Sequence, residues 1–344
     1  MKAVVLTANN NIEYKDVSAP DYGSDEVLVK VAYCGICGSD IPRVFDSGAR
    51  SYPIILGHEF SGIVEAVGNN VSNVKAGDHV VAAPLIPCYQ CDDCKKGNYS
   101  LCNNYSFIGS RRQGGFAEFV CLPSKNIVKI SDRLDLKQAA TIEPATVAYH
   151  AFNLIGDIKD KNIAILGCGI IGLFAIQIAN ILGANSIIAI GRRETGLIQA
   201  NKFGATKCFS TLNKTPDDIK KETNLSGFDA IIECSGADRT IHNSFELVNK
   251  KGIICFIGTP KRELTFSVKE WELINRKECI ITGSWMSYSA KFPGKEWSDA
   301  VNHMENGKIQ GAIDKIYKFS EARQAFDDIR AGKTNGRVLL KNSN

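Results

Sequence analysis

Between Ile163 and Ala184 the chain runs almost without a polar residue, and a stretch of that length has two physical outcomes. It crosses a membrane as one helix, or it is buried as shorter elements in a globular core. Gly167, Gly169 and Gly172 interrupt the run near its start, and Gly183 closes it. Gln177 and Asn180 carry amides that hydrocarbon would leave unsolvated. The second outcome is therefore expected: a strand, a glycine turn and a buried helix. No second run of this kind occurs, and no membrane partner is expected.

At about 150 residues per domain, 344 residues suggest two domains. Apolar residues at 44 % and charged residues at 23 % exclude a largely disordered chain. The 41 Lys and Arg against 37 Asp and Glu leave a net charge of +4, scattered along the chain, so nucleic acid is not the expected partner. Met1 to Asn9 holds one basic residue and a short apolar run, which reads as a strand rather than a secretory signal. A cytoplasmic location is the expectation. There, twelve cysteines point to metal binding or chemistry more than to disulfides.

Up to about residue 140 the chain is rich in short β-type runs, such as Lys2 to Leu6, Glu26 to Val31 and Gly62 to Val67, separated by turn residues. From about residue 160 the texture changes. Ile163 to Leu166, Ser186 to Ile190, Phe228 to Ile232 and Ile253 to Ile257 are apolar without alternation and are separated by helical periods. Strands buried on both faces of a parallel sheet have this character. The alternation stops after about residue 285, and Glu321 to Ile329 reads as one amphipathic helix. Two domains are expected, one interrupted by the other.

Cys88, Cys91, Cys94 and Cys102 have the spacing C-x2-C-x2-C-x7-C. Loops this short let four thiolates converge on a tetrahedral zinc ion at about 2.3 Å, saturating it and leaving no position for substrate. An iron–sulfur site is the alternative, because its cysteine runs are also dense. Upstream, Cys37 and His58 offer zinc ligands, with the carboxylate of Glu59 beside them. Glu143 is an acid in the otherwise apolar stretch from Ala139, where an unpaired carboxylate is costly to bury, so a partner such as a metal is expected. A Cys, a His and a Glu leave zinc one exchangeable position, the arrangement of a catalytic site. Asp40 is a candidate acceptor for the His58 imidazole, and Ser39 a candidate proton relay or a helix N-cap. His79, His150, His242 and His303 fall in no motif.

Gly167-Cys168-Gly169-Ile170-Ile171-Gly172 follows one expected strand and opens a helix, the context in which G-x-G-x-x-G binds a dinucleotide. Its glycines admit the pyrophosphate to the helix N-terminus. An NAD site carries Asp or Glu about nineteen residues on, to bind the ribose 2′-hydroxyl. This chain has Gly191-Arg192-Arg193. Losing the carboxylate removes repulsion and two guanidiniums can clasp a 2′-phosphate, so NADP(H) is expected over NAD(H). Glu194 is adjacent and is the competing ribose contact.

Together, Gly35 to Asp40, Gly57-His58-Glu59, the cysteine cluster, Glu143-Pro144 and the glycine fingerprint resemble the zinc-dependent medium-chain dehydrogenase/reductase family. Within it the chain is most similar to the polyol dehydrogenases, nearest the galactitol-1-phosphate 5-dehydrogenase branch. Asp40 to Arg43, Phe107 to Glu118, Gly283 to Ser289 and Pro293 to Trp297 carry that closer likeness. One departure is Gly191, where that branch carries Asp. The resemblance implies an α/β chain, with a Rossmann domain (residues 151–285) inserted in a GroES-like β-barrel catalytic domain (1–150 and 286–344) that bears a zinc lobe at 85–105. It implies two zinc ions per chain: a catalytic one on Cys37, His58 and Glu143, with Glu59 exchangeable or fourth, and a structural one on the four clustered cysteines. It also implies a homodimer or homotetramer, for which strands near 253–257 and 279–285 are candidate pairing edges.

The expected reaction is reversible oxidation of a secondary alcohol of a polyol or polyol phosphate, galactitol 1-phosphate first, giving tagatose 6-phosphate. Sorbitol or xylitol and ribitol or arabitol 5-phosphate are the alternatives. A substrate phosphate needs cations, and Arg43, Arg111 and Arg112 are the candidates by position. A non-catalytic protein of the same fold would be expected to lose Cys37, His58 or Glu143, and all three are present.

Overall fold

The apolar run from Ile163 divides at its glycines into a strand and a helix, as its interruptions predict. The computed structural model describes residues 1–342 and separates two units, one made of Met1–Pro144 with the chain from Tyr288 onward, the other of Ala145–Ser287.

The first unit begins with β1 (Lys2–Ala8), β2 (Asn11–Asp16), β3 (Glu26–Gly35) and the short helix α1 (Asp40–Phe45). Then come β4 (Ile54–Ile55), β5 (Glu59–Val67), β6 (His79–Ala82), β7 (Leu85–Ile86) and α2 (Asp92–Lys95). β8 (Ser106–Phe107), β9 (Phe119–Pro123), β10 (Ile127–Lys129) and α3 (Leu136–Ala139) follow. The boundary between the units falls inside the next helix, α4 (Ile142–Ile155).

The second unit alternates strand and helix: β11 (Asn162–Leu166), α5 (Ile170–Ile181), β12 (Ser186–Gly191), α6 (Glu194–Lys202), β13 (Lys207–Ser210) and α7 (Pro216–Thr223). It continues through β14 (Phe228–Glu233), α8 (Asp238–Leu247), β15 (Val248–Phe256), α9 (Val268–Lys277) and β16 (Ile280–Gly283). The chain then returns to the first unit with α10 (Lys295–Glu305), β17 (Ile313–Lys318), α11 (Ala322–Arg330) and β18 (Arg337–Lys341).

In the second unit the strand order is β13-β12-β11-β14-β15-β16, every pairing is parallel, and the order reverses at β11. This is the doubly wound arrangement, whose ligands bind beyond the carboxyl ends of the strands at that reversal. Ile163, Ala164, Ile165 and Leu166 are fully buried, which explains why β11 lacks polar alternation. Two of the unit's helices start at capping boxes: Thr215 with Asp218 for α7, where Pro216 also stands in the first turn, and Ser267 with Glu270 for α9. β15 is interior, paired on both sides, so of the two segments expected at a pairing edge only β16 lies at one. Among the described residues no helix is long and apolar enough to cross a membrane.

The first unit is β-rich. Its largest sheet has the order β10-β6-β5-β3-β18-β17, with β9 also paired to β3, and β2-β1-β4 forms a second sheet. Val29, Val31, Phe60, Phe116 and Phe326 belong to one buried cluster, so the helix expected at 321–329 packs on the core of the barrel strands.

Candidate active site

Strand register assembles the first group. β3 and β5 pair antiparallel with Gly35 opposite Glu59, so Cys37, just past the end of β3, meets His58 and Glu59 at the start of β5. Cys37 Sγ, a ring nitrogen of His58 and a carboxylate oxygen of Glu59 lie within 4.8 Å of one another. A Cβ at Gly35 would come 2.5 Å from Glu59 Oε2 and 3.3 Å from its Cβ, so a side chain there would displace the Glu59 carboxylate from its place beside Cys37. Glu143, on the first turn of α4, lies outside the 4.8 Å group. Burial pushes its carboxyl up to about 7, with Glu59 and Asp40 adding to the rise and His58 and Arg337 opposing it.

Arg337 is the residue that sequence reasoning missed. β18 pairs with β3 so that Leu339 faces Gly35, which carries Arg337 to the metal-ligand end of the sheet. Its Nη2 lies 3.1 Å from Glu59 Oε1, and Nη1 donates to the Ile36 carbonyl at 2.5 Å, both from a buried position. Asp40 also differs from expectation. Its Oδ1 is 3.9 Å from His58 Nδ1, too far for a hydrogen bond. Its oxygens are taken instead by the Cys37 N–H at 3.1 Å and by Arg43 Nη1 at 3.1 Å. Ser39 stands at the N-cap of α1 without a side-chain capping bond, and its exposed Oγ accepts from Arg43 Nη1 at 2.9 Å.

The group has the character of a cation site. Burial, reinforced by the carboxylates of Glu59 and Asp40, pushes the Cys37 thiol upward. His58 Nδ1 and Glu59 Oε2 are buried with no hydrogen-bond partner among the described residues, a costly state that a divalent cation among these donors would relieve.

The other candidate arginines part company. Arg111 lies over the Tyr105 ring at 3.9 Å and donates to its carbonyl. Arg112 pairs with Glu26 at 3.0 Å and lines a separate cavity with Met1, Val17 and Cys121. Arg43 alone of the three is bonded to the residues beside Cys37.

Cys88, Cys91, Cys94 and Cys102 bring their sulfurs within 4.8 Å of one another. Cys88–Cys94 and Cys91–Cys102 are 3.9 Å apart, far beyond a disulfide. A tetrahedron of metal–sulfur bonds of about 2.3 Å has edges of about 3.8 Å, so the four sulfurs fit one ion. N–H groups of Gln90 and Cys91 draw the Cys88 thiol down to about 6, whereas burial pushes the Cys94 thiol up to about 12 and raises that of Cys102, so the fit to one ion rests on the sulfur geometry. The lobe is anchored by aromatic packing that its own sequence did not reveal: Tyr89 and Tyr99 meet Phe292, which stacks on Tyr288.

In the second unit a cavity of about 750 Å³ opens at the carboxyl ends of β11, β12 and β14. Gly167, Gly169, Gly191, Arg192 and Arg193 line it as expected, whereas Ile170, Ile171 and Gly172 form the first turn of α5 behind it. A Cβ on Gly172 would lie 1.9 Å from the Gly167 carbonyl oxygen, so this glycine is demanded by turn–helix packing. A Cβ on Gly169 would meet nothing within 4 Å, leaving open space at the N-terminus of α5 for a phosphate. Glu194 begins α6 and is not among the lining residues. Sequence reasoning missed Ser235 and Gly236, which line the cavity beyond β14. Their loop is held by buried Glu233, whose oxygens accept from both backbone N–H groups and from Ser235 Oγ and Thr240 Oγ1. That turn after a central strand was its available signal.

Residues 23–132 match the family model of the alcohol dehydrogenase GroES-like domain, and residues 171–306 match that of the zinc-binding dehydrogenases. Galactitol 1-phosphate 5-dehydrogenase of Escherichia coli (strain K12) is 38 % identical over 344 residues, covering 99 % of each chain. The chain belongs to the zinc-dependent alcohol and polyol dehydrogenases. The expected family and its fold, a GroES-like domain with a Rossmann domain, both hold for this zinc-dependent dehydrogenase. The crystal structure of galactitol-1-phosphate dehydrogenase from Escherichia coli superposes with a TM-score of 0.95 at 38 % identity, over 99 % of this chain and 100 % of that one. A Sinorhizobium meliloti 1021 protein described as a zinc-binding dehydrogenase, solved bound to NADP, superposes with a TM-score of 0.90 at 30 % identity, over 99 % and 98 % of the two chains.

Proposed function

We propose that this dehydrogenase interconverts a polyol phosphate and the corresponding ketose phosphate using NADP(H), with galactitol 1-phosphate and tagatose 6-phosphate as the first-choice pair. The observation that carries the reading is Arg43, hydrogen-bonded to Ser39 and to Asp40 beside the Cys37–His58–Glu59 group. A cation at that point supplies what an anionic polyol needs and a neutral one does not. The likeness to galactitol 1-phosphate 5-dehydrogenase supports the same choice.

Cys37, His58 and Glu143 would hold the catalytic zinc, with Glu59 as an exchangeable ligand, and Cys88, Cys91, Cys94 and Cys102 would hold the structural one. When bound, the catalytic ion supplies Lewis acidity at the substrate hydroxyl and NADP⁺ supplies the hydride acceptor. The chain does the rest. Ser39 Oγ would relay the hydroxyl proton, accepting it while passing its own to the solvent to which the residue is exposed, and Arg43, bonded to that Oγ, would orient it and offer its remaining N–H groups to the phosphate. Arg337 sets its guanidinium against the Glu59 carboxylate in a buried site. Gly191 with Arg192 and Arg193 would receive the cofactor 2′-phosphate.

The enzyme would work in the cytoplasm, whose reducing conditions suit twelve unpaired cysteines. It would form a homo-oligomer through the open edge of β16, where Ile280 and Ile281 are 58 % and 41 % exposed.

The test compares kcat/KM for galactitol 1-phosphate, ribitol 5-phosphate, galactitol and xylitol with NADP⁺ and NAD⁺. A preference of a hundredfold or more for a phosphorylated substrate, about 2.7 kcal/mol, is expected, together with its loss in Arg43→Ala. Equal or better rates with free polyols would turn the assignment to a sorbitol- or xylitol-type dehydrogenase.

A further inference from the structure

The proposed NADP preference leaves open why residue 191 is glycine rather than some other neutral residue. Gly191 ends β12 in parallel pairing with Ser210 of β13, and its φ is not in the left-handed region, so backbone conformation does not demand glycine. Space does. A Cβ at 191 would lie 3.0 Å from Cys168 Sγ on one side and 3.3 Å from Leu197 Cδ2 on the other. Both are tighter than ordinary side-chain contact, so each neighbour must give by a few tenths of an ångström to admit a Cβ. Cys168 is itself pressed against α6, where a Cβ on Gly196 would come 2.9 Å from the Cys168 carbonyl oxygen and 3.2 Å from its Cβ. The middle residue of the glycine turn therefore crowds the place from which an acidic side chain at 191 would have to grow.

The charge around this point acts in the same direction. Arg192, Arg193, Arg239, Lys261 and Arg262 line the cavity, against one lining carboxylate, Asp238, which faces His242 Nε2 at 3.4 Å. These cations come from segments following three different strands, β12, β14 and β15. Among the described residues, Arg192, Arg239, Lys261 and Arg262 have no ion-pair partner.

We propose that Cys168 is a cofactor-specificity residue of this enzyme: its thiol excludes an acid from position 191, while cations from the segments after three strands attract the 2′-phosphate. The proposal deepens the NADP reading given above and rests on it for the identity of the ligand. Exclusion and attraction act together, as they do wherever two similar ligands must be told apart. Changing residue 191 alone is therefore expected not to turn the site toward NAD(H), because the Cys168 thiol must give way before a side chain at 191 can take up the ribose contact.

The test measures binding to the zinc-loaded, full-length enzyme by isothermal titration calorimetry and by thermal shift, with NADPH, NADH, adenosine 2′,5′-bisphosphate and AMP as probes. Gly191→Asp is expected to weaken NADPH and adenosine 2′,5′-bisphosphate at least tenfold without improving NADH. Cys168→Ala combined with Gly191→Asp is expected to bind NADH at least tenfold more tightly than Gly191→Asp does. If Gly191→Asp alone gains NADH affinity as large as the double variant, the proposal is overturned. If Gly191→Asp fails to fold, restoration of a cooperative melting transition by Cys168→Ala supports the steric lock, and failure to restore it overturns the lock. Equal affinity of the unaltered enzyme for NADPH and NADH would instead defeat the underlying NADP reading, and the comparison between single and double variants would still decide the role of Cys168.

Discussion

Glu59 and Arg337 show how much a single residue can govern here. Glu59 is 1 % exposed and belongs to the proposed catalytic metal group, so its charge must be balanced whether or not a cation is bound. Arg337 provides that balance at 3.1 Å, and its own Nη1 is held by the Ile36 carbonyl. Breaking such a buried pair from one side typically costs about 3–5 kcal/mol, because the partner charge is left uncompensated. Arg337→Met is therefore expected to lower unfolding stability by about that much and to reduce zinc content from two ions per chain toward one. Denaturant titration and metal analysis by atomic emission check both. Unchanged stability with full zinc content would show that Glu59 needs no balancing charge.

At the scale of elements, turns and loops carry what the strands position. The turn before β6 places Asp78 so that Lys129 Nζ, at 2.8 Å, and the Lys75 N–H, at 3.0 Å, donate to its carboxylate. Those hydrogen bonds, Lys129 first, hold its carboxyl below the usual range. Because the folded value lies below the unfolded one, the stabilisation is present above about pH 4 and is lost as pH falls through the folded value. Asp78→Asn is expected to cost about 1 kcal/mol at pH 7, with the difference from the native chain shrinking as pH falls below about 4. A difference that stays constant on acidification would assign the effect to packing instead. The loop after β15 is a second case. Lys261 and Arg262 line the nucleotide cavity without ion-pair partners among the described residues. Replacing both with alanine is expected to weaken NADPH about tenfold and NADH much less, as measured by nucleotide fluorescence titration. Equal losses for the two nucleotides would mean these cations serve the pyrophosphate.

For the whole molecule, the first unit is closed by the end of the chain. β18 enters between β3 and β17, the Ile36 N–H donates to the Val338 carbonyl, and Asn342 Nδ2 donates to the Val31 carbonyl. The proposed catalytic group therefore depends on a strand about three hundred residues away in sequence. The sheet of the second unit instead ends in the unpaired edge of β16, with apolar side chains exposed along it. Ile281→Lys is expected to shift sedimentation from the proposed oligomer to monomer while leaving the melting of each unit cooperative. An unchanged sedimentation coefficient would remove β16 from the assembly interface.

Short-range patterns carried most of what could be read in advance. The cysteine spacing, the glycine fingerprint between a strand and a helix, and the four alternation-free strands are all set within a few tens of residues. Covalent reach and backbone hydrogen bonding translate such spacings directly into loops, turns and parallel strands. What escaped notice depends on register and on which way a side chain turns once distant segments pair. Arg337 reaches Glu59 only because Leu339 aligns with Gly35. Arg112, adjacent to Arg111 in the chain, turns to Glu26 and a different cavity, while Arg43 turns to Ser39. Residues 253–257 looked as suited to a sheet edge as those of β16, and only the pairing of β16 onto β15 made one interior and the other open. Local sequence holds no record of such contacts, because their geometry is settled by packing between segments that meet only in the folded chain.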